Sequence, residues 1–598
     1  MAKIIEISAL CKSYQTQKRK QLLVFDNFNL AIESDCHLIC LTGPDGAGKS
    51  TLLKILAGVL PFDKGQVLLN GTKPDMANAK FSKDVGYMSQ TLGLYEELTV
   101  WDNLTILSGL RGLKLKESSD YLTKLLTSVN LINFKDREAG ALSGGMKQKL
   151  ALCCTIAARP KILILDEPTV GVDPVSRNEL WNIILSYLKE VQGYCIFSTA
   201  YLEEADFCDL VLMLNDGKLL LQGSKESLLN KLPHQTYSLE DTKDNYQQAL
   251  KKALQLTFRD DANSPILDIC PRLGRIDILT TKGCSLEELK LYLQKHFNDT
   301  FKLNTRGPIL EDVYIHNALT EQLKIQSKST AIKKSNSSDT ACSTLNNQRS
   351  EIVIARNIKK CFGNFVAVDD SSFKVHTGEI FGLLGPNGAG KTTTFRMICA
   401  LSKPTSGQVT INGFDLAKAK HDARATIGYV SQKFSLYRKL SVYQNLEYFG
   451  LSYGLKPKYL KERIKELLSE FNLEDFKDIN SETLPFGIQR QLSMACALIH
   501  KPKILFLDEA TSGADPLARR NFWYLINKLA TTGTCVVVTT HFMEEAEYCD
   551  NFLIQDQGKI LVLGSPNTIC RKDNKRISIQ EKFVSLILDS RNQEAEHA

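Results

Sequence analysis

The chain repeats itself: the nine residues GPDGAGKST that begin at Gly43 return as GPNGAGKTT at Gly385, 342 positions later. The same displacement carries Gln90 onto Gln432, Asp166 onto Asp508 and Asp173 onto Asp515. It also carries LYEELTVWDNL from Leu94 onto LYRKLSVYQNL from Leu436. It falls to 341 before the last correspondence, Ala200 with His541. Landmarks kept in register over so long a span mean a duplicated domain rather than scattered motifs. At 598 residues the chain has room for two such domains and a further element, each with a core of its own.

Both copies alternate apolar runs with helical patterns. HLICLTG and EIFGLLG read as buried strands, each followed by a glycine loop and a helix that opens at Lys49 or Lys391. The expected fold is therefore α/β, with two P-loop NTPase domains in tandem over residues 1–223 and 350–568. Between them, residues 224–323 mix short apolar and amphipathic stretches, and SLEELKLYLQKHF predicts a helix capped by Ser285. A small α+β appendage is expected there. Residues 324–349 turn to Ser, Thr, Lys, Asn and Gln and read as a flexible linker, and residues 569–598 as a short C-terminal helical tail.

In the pattern GxxxxGK[ST], glycines let backbone N–H groups wrap phosphates, the lysine neutralises phosphate charge and the hydroxyl holds Mg²⁺. The first loop runs through Gly43, Pro44, Asp45, Gly46, Ala47, Gly48, Lys49, Ser50 and Thr51. The second runs through Gly385, Pro386, Asn387, Gly388, Ala389, Gly390, Lys391, Thr392 and Thr393. Two such loops at matching strand-to-helix junctions imply nucleotide binding. In both copies an aspartate ends an apolar strand 117 residues after the loop lysine, in KILILDEP and KILFLDEA. From there Asp166 and Asp508 can reach Mg²⁺, and the adjacent Glu167 and Glu509 can polarise an attacking water.

Composition narrows the remaining classes. Lysine and arginine total 74 against 67 acidic residues, a net charge of +7 with no strongly basic footprint for nucleic acid. The 16 cysteines form no CxxC pair, which argues for reduced, buried thiols over a zinc or iron-sulfur site. MAKIIEISAL lacks the features of a secretory signal, and no stretch reaches the roughly 18 apolar residues needed to span a bilayer. A membrane role would have to be borrowed from partners.

LSGGMKQKL, from Leu142, lies between the first loop and its Asp-Glu pair and resembles the signature of ATP-binding cassette (ABC) ATPases. In that family the signature serves the nucleotide of a partner cassette, so the resemblance implies that Ser143, Gly144 and Gly145 contact ATP held by the other half. Gln90 and Gln432 look like the family's Mg²⁺-sensing glutamines, and Tyr14 and Phe362 like the aromatic residues that stack on adenine. The family's switch histidine is matched by His541 alone, because Ala200 has neither donor nor acceptor to hold a γ-phosphate. In the second copy the signature has become LPFGIQRQL, where Pro485 removes a hydroxyl and a backbone N–H and Phe486 adds bulk.

If each signature serves the opposite loop, both losses fall on one composite site. The other keeps Lys391, Thr392, Gln432, Asp508, Glu509 and His541 with Ser143, Gly144 and Gly145. The resemblance thus implies one hydrolysing site and one site that mainly binds ATP. The runs AYLEEADFCD and HFMEEAEYCD, with GPILEDVYIHNAL at Gly307, resemble the drug-resistance branch of separate-chain exporter ATPases. That branch implies ATP and Mg²⁺ as cofactors and two membrane permease subunits as partners, identical or different, with a periplasmic adaptor as a further candidate. It implies a peripheral place on the cytoplasmic face of the inner membrane. The alternative is a two-cassette ATPase acting on ribosomes. The elements TVGVDP and TSGADP differ from the histidine-containing sequence of that group.

Overall fold

In the computed structural model each glycine loop leaves a five-residue strand buried along its whole length. The structure describes residues 3–15, 21–232, 236–241, 246–257, 264–281, 283–297, 301–329, 350–432, 436–572 and 575–597. The first copy runs β1 (Lys3–Gln15), β2 (Gln21–Glu33), β3 (Leu38–Thr42), α1 (Lys49–Leu56), β4 (Lys64–Leu69), α2 (Ala79–Asp84) and β5 (Val85–Met88). It continues with α3 (Val100–Leu110), α4 (Leu115–Ser128), α5 (Gly144–Ile156), β6 (Ile162–Asp166), α6 (Pro174–Val191), β7 (Tyr194–Ser198), β8 (Leu210–Asn215) and β9 (Lys218–Gly223).

One sheet of this copy is antiparallel, in the order β2-β1-β4, and the other has the order β5-β6-β7-β3-β8-β9. All neighbours in the second sheet are parallel except β8 and β9. Strands covered on both faces have no polar side to show, which is why β3 and β6 read as unbroken apolar runs. Because β3, β6 and β7 all point the same way, the loop after β3 and the aspartate ending β6 emerge at one edge of the sheet, where open α/β sheets hold their ligands. Helices α3, α4 and α5 pack a separate apolar cluster around Leu104, Leu126 and Leu150.

After α7 (Lys225–Leu229) come β10 (Thr236–Asp241), α8 (Tyr246–Leu254), β11 (Ile266–Arg272), β12 (Arg275–Thr280), α9 (Leu286–Gln294), β13 (Phe301–Thr305) and α10 (Leu310–Ser329). The order βαββαβ with an antiparallel sheet β11-β12-β10-β13 is a ferredoxin-like arrangement. Ser285 caps α9 in a reciprocal box with Glu288. Helix α10 runs into the stretch expected as a linker, and residues 330–349 of that stretch lie outside the described residues.

The second copy runs β14 (Glu351–Phe362), β15 (Phe365–His376), β16 (Ile380–Leu384), α11 (Lys391–Ile398), β17 (Ser406–Ile411), β18 (Phe414–Asp415), α12 (Lys420–Ala425) and β19 (Ile427–Val430). It continues with α13 (Val442–Ser452), α14 (Pro457–Glu470), α15 (Phe486–Leu498), β20 (Ile504–Asp508), α16 (Pro516–Thr531), β21 (Cys535–Thr539), β22 (Asn551–Asp556) and β23 (Lys559–Gly564). Its six-stranded sheet, β19-β20-β21-β16-β22-β23, repeats the first strand for strand. Past Pro566–Ile569, the chain closes with the pair Arg571–Lys572 and Lys575–Arg576 and a helix over Ile579–His597.

Two compact units result. One is residues 1–233, the first copy with α7, together with Ile309–Tyr314 and Gly513–Pro516; the other holds the rest of the appendage with the rest of the second copy. The appendage therefore packs on the copy that follows it. Tyr237, Leu239, Leu250 and Ile278 belong to the same apolar cluster as Trp523, Val536 and Tyr548. Among the described residues no helix is long and apolar enough to cross a membrane.

Candidate nucleotide site

Each glycine loop is shaped by positions where a side chain has no room. Gly48 has φ 100°, and a Cβ there would lie 2.7 Å from the Phe25 ring; at Gly390, with φ 95°, it would lie 2.4 Å from the Ala367 carbonyl oxygen. At Gly46 and Gly388, by contrast, a Cβ would meet nothing within 4 Å. That open side lies at the start of α1 and α11, whose first N–H groups have no side-chain cap, and such a helix end favours an anion. Lys49 and Lys391 are buried, their ammonium groups held by loop carbonyls. Lys49 donates to Gly43 and Pro44 at 2.6 and 3.1 Å, Lys391 to Gly385 and Pro386 at 2.6 and 2.8 Å. A recessed, uncapped helix start with one ammonium beside it fits a triphosphate.

The carboxylates stand opposite. Ser50 Oγ donates to Asp166 Oδ1 at 3.0 Å, placing the hydroxyl and carboxylate expected to share Mg²⁺ side by side, as that ion's oxygen-donor preference requires. The last residue of the neighbouring strand, which sequence reading passed over, organises the pair. Ser198 donates to Asp166 at 2.7 Å and accepts the N–H of Glu167 at 2.9 Å, and Thr539 does the same for Asp508 and Glu509 at 2.8 and 2.9 Å. Its only sequence signal is a hydroxyl residue ending an apolar strand, in IFS and VVVT. Glu167 and Glu509 have φ of 52° and 47°, a left-handed backbone that costs a non-glycine residue about 1–3 kcal/mol and aims the carboxylate out of the strand. Gln90 donates to Glu167 at 2.7 Å and Gln432 to Glu509 at 2.5 Å.

Here the copies part. His541 Nε2 lies 2.5 Å from Glu509 Oε1, both side chains nearly buried, whereas the buried Ala200 offers Glu167 nothing comparable. Burial pushes the Glu509 carboxyl up, but His541, Lys391 and Gln432 outweigh it and hold the group below the usual carboxylate range. Burial pushes Glu167 up as well, to about 7. There Lys49 and Gln90 oppose the shift, while Asp166 and Asp45 add to it. A carboxylate that stays ionised can accept a proton from water; one that is half protonated at neutral pH does so less readily. Burial also raises Asp508, with Glu509 adding to the rise.

Ser143 is the N-cap of α5 and accepts the Met146 N–H at 3.4 Å. In the second copy Pro485 stands at the N-cap of α15 without a side-chain bond. The Phe486 side chain lies outside the described residues. A Cβ on Gly144 or on Gly487 would meet nothing within 4 Å. Tyr14 and Phe362 are exposed rings at the ends of β1 and β14. The Tyr14 hydroxyl lies 3.3 Å from Thr51 Oγ1, and a lysine ammonium, Lys12 or Lys360, lies over each ring at 5.4 and 5.3 Å.

Similarity to known proteins extends over both copies. A family model described as ABC transporter matches residues 25–170 and 368–512. The probable multidrug ABC transporter ATP-binding protein YbhF of Escherichia coli K12 is 39% identical over 92% of this chain and 92% of its own length. The Nod factor export ATP-binding protein I of Sinorhizobium fredii NGR234 is 39% identical over 40% of this chain and 71% of its own length. A solved structure titled as the ATP binding subunit of an ABC transporter covers 40% of this chain and 99% of its own, with 28% identity and a TM-score of 0.38.

Proposed function

The chain belongs to the ABC transporter family, as one of its ATP-hydrolysing proteins, and from that premise we propose that it drives export through separate membrane permease chains. The relatives named above support the reading, since one is a probable multidrug transporter subunit and another an export subunit. They leave the ribosomal alternative without support. The partners in this reading are two permease subunits, with a periplasmic adaptor as a third candidate, and the chain works at the cytoplasmic face of the inner membrane.

One observation carries the assignment of hydrolysis to the second cassette: the His541–Glu509 contact, which has no counterpart at Ala200. In this reading Lys391 and the loop from Gly385 to Thr393 hold the triphosphate, and Phe362 stacks on adenine. Gln432 orients Glu509, Glu509 takes the proton of the attacking water, and His541 keeps Glu509 ionised and aimed. Thr392, Asp508 and Gln432 would hold Mg²⁺, whose charge offsets that of the phosphates; Ser50, Asp166 and Gln90 are the matching set in the first cassette. By the family's rule the signature that serves the second nucleotide is the first cassette's Ser143, Gly144 and Gly145. The first nucleotide, on Lys49, Ser50, Thr51 and Tyr14, is bound with little turnover.

Phosphate release from Mg-ATP tests the asymmetry: Glu509→Gln should lose at least about 100-fold in kcat, Glu167→Gln less than about threefold. Equal losses would defeat it. Affinity purification from solubilised membranes tests the export assignment. Polytopic membrane proteins should co-purify, and ribosomal proteins in their place would refute it.

A further inference from the structure

In the second cassette the chain leaves β21, passes His541, makes the turn Met543–Tyr548 and enters β22. The turn is tied to the residue that precedes the histidine. Glu545 is buried and accepts from Thr511 and from Thr540, the residue before His541.

The appendage grips the outside of this turn. Strand β11 lies against it. From α8, Gln247 Nε2 donates to the carbonyls of Glu547 and Cys549 at 3.3 and 2.6 Å. From the same helix, Lys251 Nζ reaches the two carboxylate oxygens of Asp550 at 3.0 and 2.8 Å. The backbone N–H groups of Leu273 and Gly274, at the tip of the β11–β12 hairpin, donate to the Glu547 carboxylate, which Arg576 also meets at 2.8 Å. Between appendage and turn stands Arg520 of α16. Its Nε is 3.5 Å from Asp268 Oδ2 on β11, and its Nη1 donates to the Tyr548 hydroxyl at 2.9 Å. The Tyr548 ring stacks on Trp523 at 4.8 Å.

The first cassette serves as an internal control. Its turn, Leu202–Phe207, keeps the inner contacts, with Glu204 accepting from Thr169 and Thr199 at 2.6 Å each. The outer positions differ. Asn178 stands for Arg520, Phe207 for Tyr548 and Asp206 for Glu547. Phe207 is 45% exposed against 5% for Tyr548, and Asp206 pairs at 3.0 Å with Lys225 of α7, in the same compact unit as the first copy. The two copies thus agree where the turn meets its own cassette and diverge where the second meets the appendage. The Asp268–Arg520 side chains are only 6% and 9% exposed. An ion pair so desolvated adds little net stability, but it tolerates few geometries.

We propose that the appendage is a positioning element for the switch histidine, with Arg520 as its joint, so that hydrolysis at the second cassette is fast only while the appendage grips the turn. This rests on the reading that the second cassette hydrolyses. The test uses the full chain, with ATPase rate against ATP concentration and amide hydrogen exchange of residues 541–550 in nucleotide-free protein.

Asp268→Asn, and Arg520→Asn with Tyr548→Phe, which installs the first copy's residues, should each lower kcat about tenfold and leave KM for ATP within about twofold. Both should speed exchange over 541–550. The charge exchange Asp268→Arg with Arg520→Asp should recover at least about half of the lost rate, which a general loss of packing would not. Phe207→Tyr in the first copy should change neither readout. Gln247→Ala, which strands no buried charge, gives the same reading if Asp268→Asn melts early. Wild-type kcat and wild-type exchange in Asp268→Asn, alongside an inactive Glu509→Gln, would overturn the proposal. Full activity of Glu509→Gln would refute the assignment of hydrolysis to the second cassette, and unchanged exchange in Asp268→Asn would then overturn the grip as well.

Discussion

Replacing His541 by alanine gives the second cassette the residue that the first carries at Ala200. The structure sets the size of the effect. His541 Nε2 and Glu509 Oε1 are 2.5 Å apart, with side chains 5% and 10% exposed, so the contact is shielded from water. A hydrogen bond to a charged group in such surroundings contributes about 1.5–3 kcal/mol, and if it is fully present in the transition state its loss lowers kcat about 10- to 150-fold. A second effect adds to this, because Glu509 would lose the partner that outweighs its burial and would drift upward, as Glu167 has done. Lys391 and the glycine loop are untouched, so KM for ATP should move less than about threefold. The assay is steady-state phosphate release by the full chain over a range of ATP concentrations, with Glu167→Gln as the reference for the other cassette. A kcat within twofold of wild type for His541→Ala would refute the reasoning, as would an equal loss for Glu167→Gln.

Three further outcomes follow from the same contacts. In nucleotide-free protein at pH 7, an apolar carbodiimide, which attacks protonated carboxyls, should label Glu167 over Glu509 by about tenfold or more, and equal labelling would contradict the electrostatic contrast. His500 is stacked on Tyr453 at 3.6 Å and shares a hydrogen bond with the Ile427 carbonyl, and burial lowers it from 6.5 to about 4. Because the unfolded chain takes up that proton first, stability is full above about pH 6.5 and is lost toward pH 4, by up to about 3 kcal/mol. Melting of His500→Gln should fall less over that window, and parallel curves would exclude the effect. Pro485→Ser should restore the side-chain cap that Ser143 gives α5 and stabilise the second unit by about 1 kcal/mol, read as a higher melting temperature. An unchanged or lower one would show that α15 does not need it.

The sequence made the two cassettes legible because their chemistry is local. A glycine loop, an apolar strand ending in Asp-Glu and a capped helix each occupy a few adjacent residues, and duplication printed each of them twice. Ser198 and Thr539 escaped notice because their role comes from strand pairing. Each faces its aspartate only because β7 lies beside β6 and β21 beside β20. The contrast between Ala200 and His541 was visible as letters. Its electrostatic consequence needed the burial of both glutamates. The appendage was legible only as mixed α and β. The capped helix at Ser285 stood out, but its strands bury polar residues such as Ser238, Asp268 and Asp277, which blurs their alternation. Which cassette the appendage joins depends on long-range contacts, such as Asp268 with Arg520, 252 residues further along the chain, and no local pattern encodes those.

The packing of the appendage on the later cassette also sets an order in time. The appendage leaves the ribosome with its own sheet complete, yet the apolar surface it shares with Trp523, Val536 and Tyr548 has no counterpart until that cassette is made. At synthesis rates of about 5–20 residues per second, the roughly 260 residues still to come leave that surface uncovered for about 10–50 seconds. The nascent protein therefore passes through a long interval in which part of its middle is folded and still sticky. That interval is when chaperones have their opportunity to bind it.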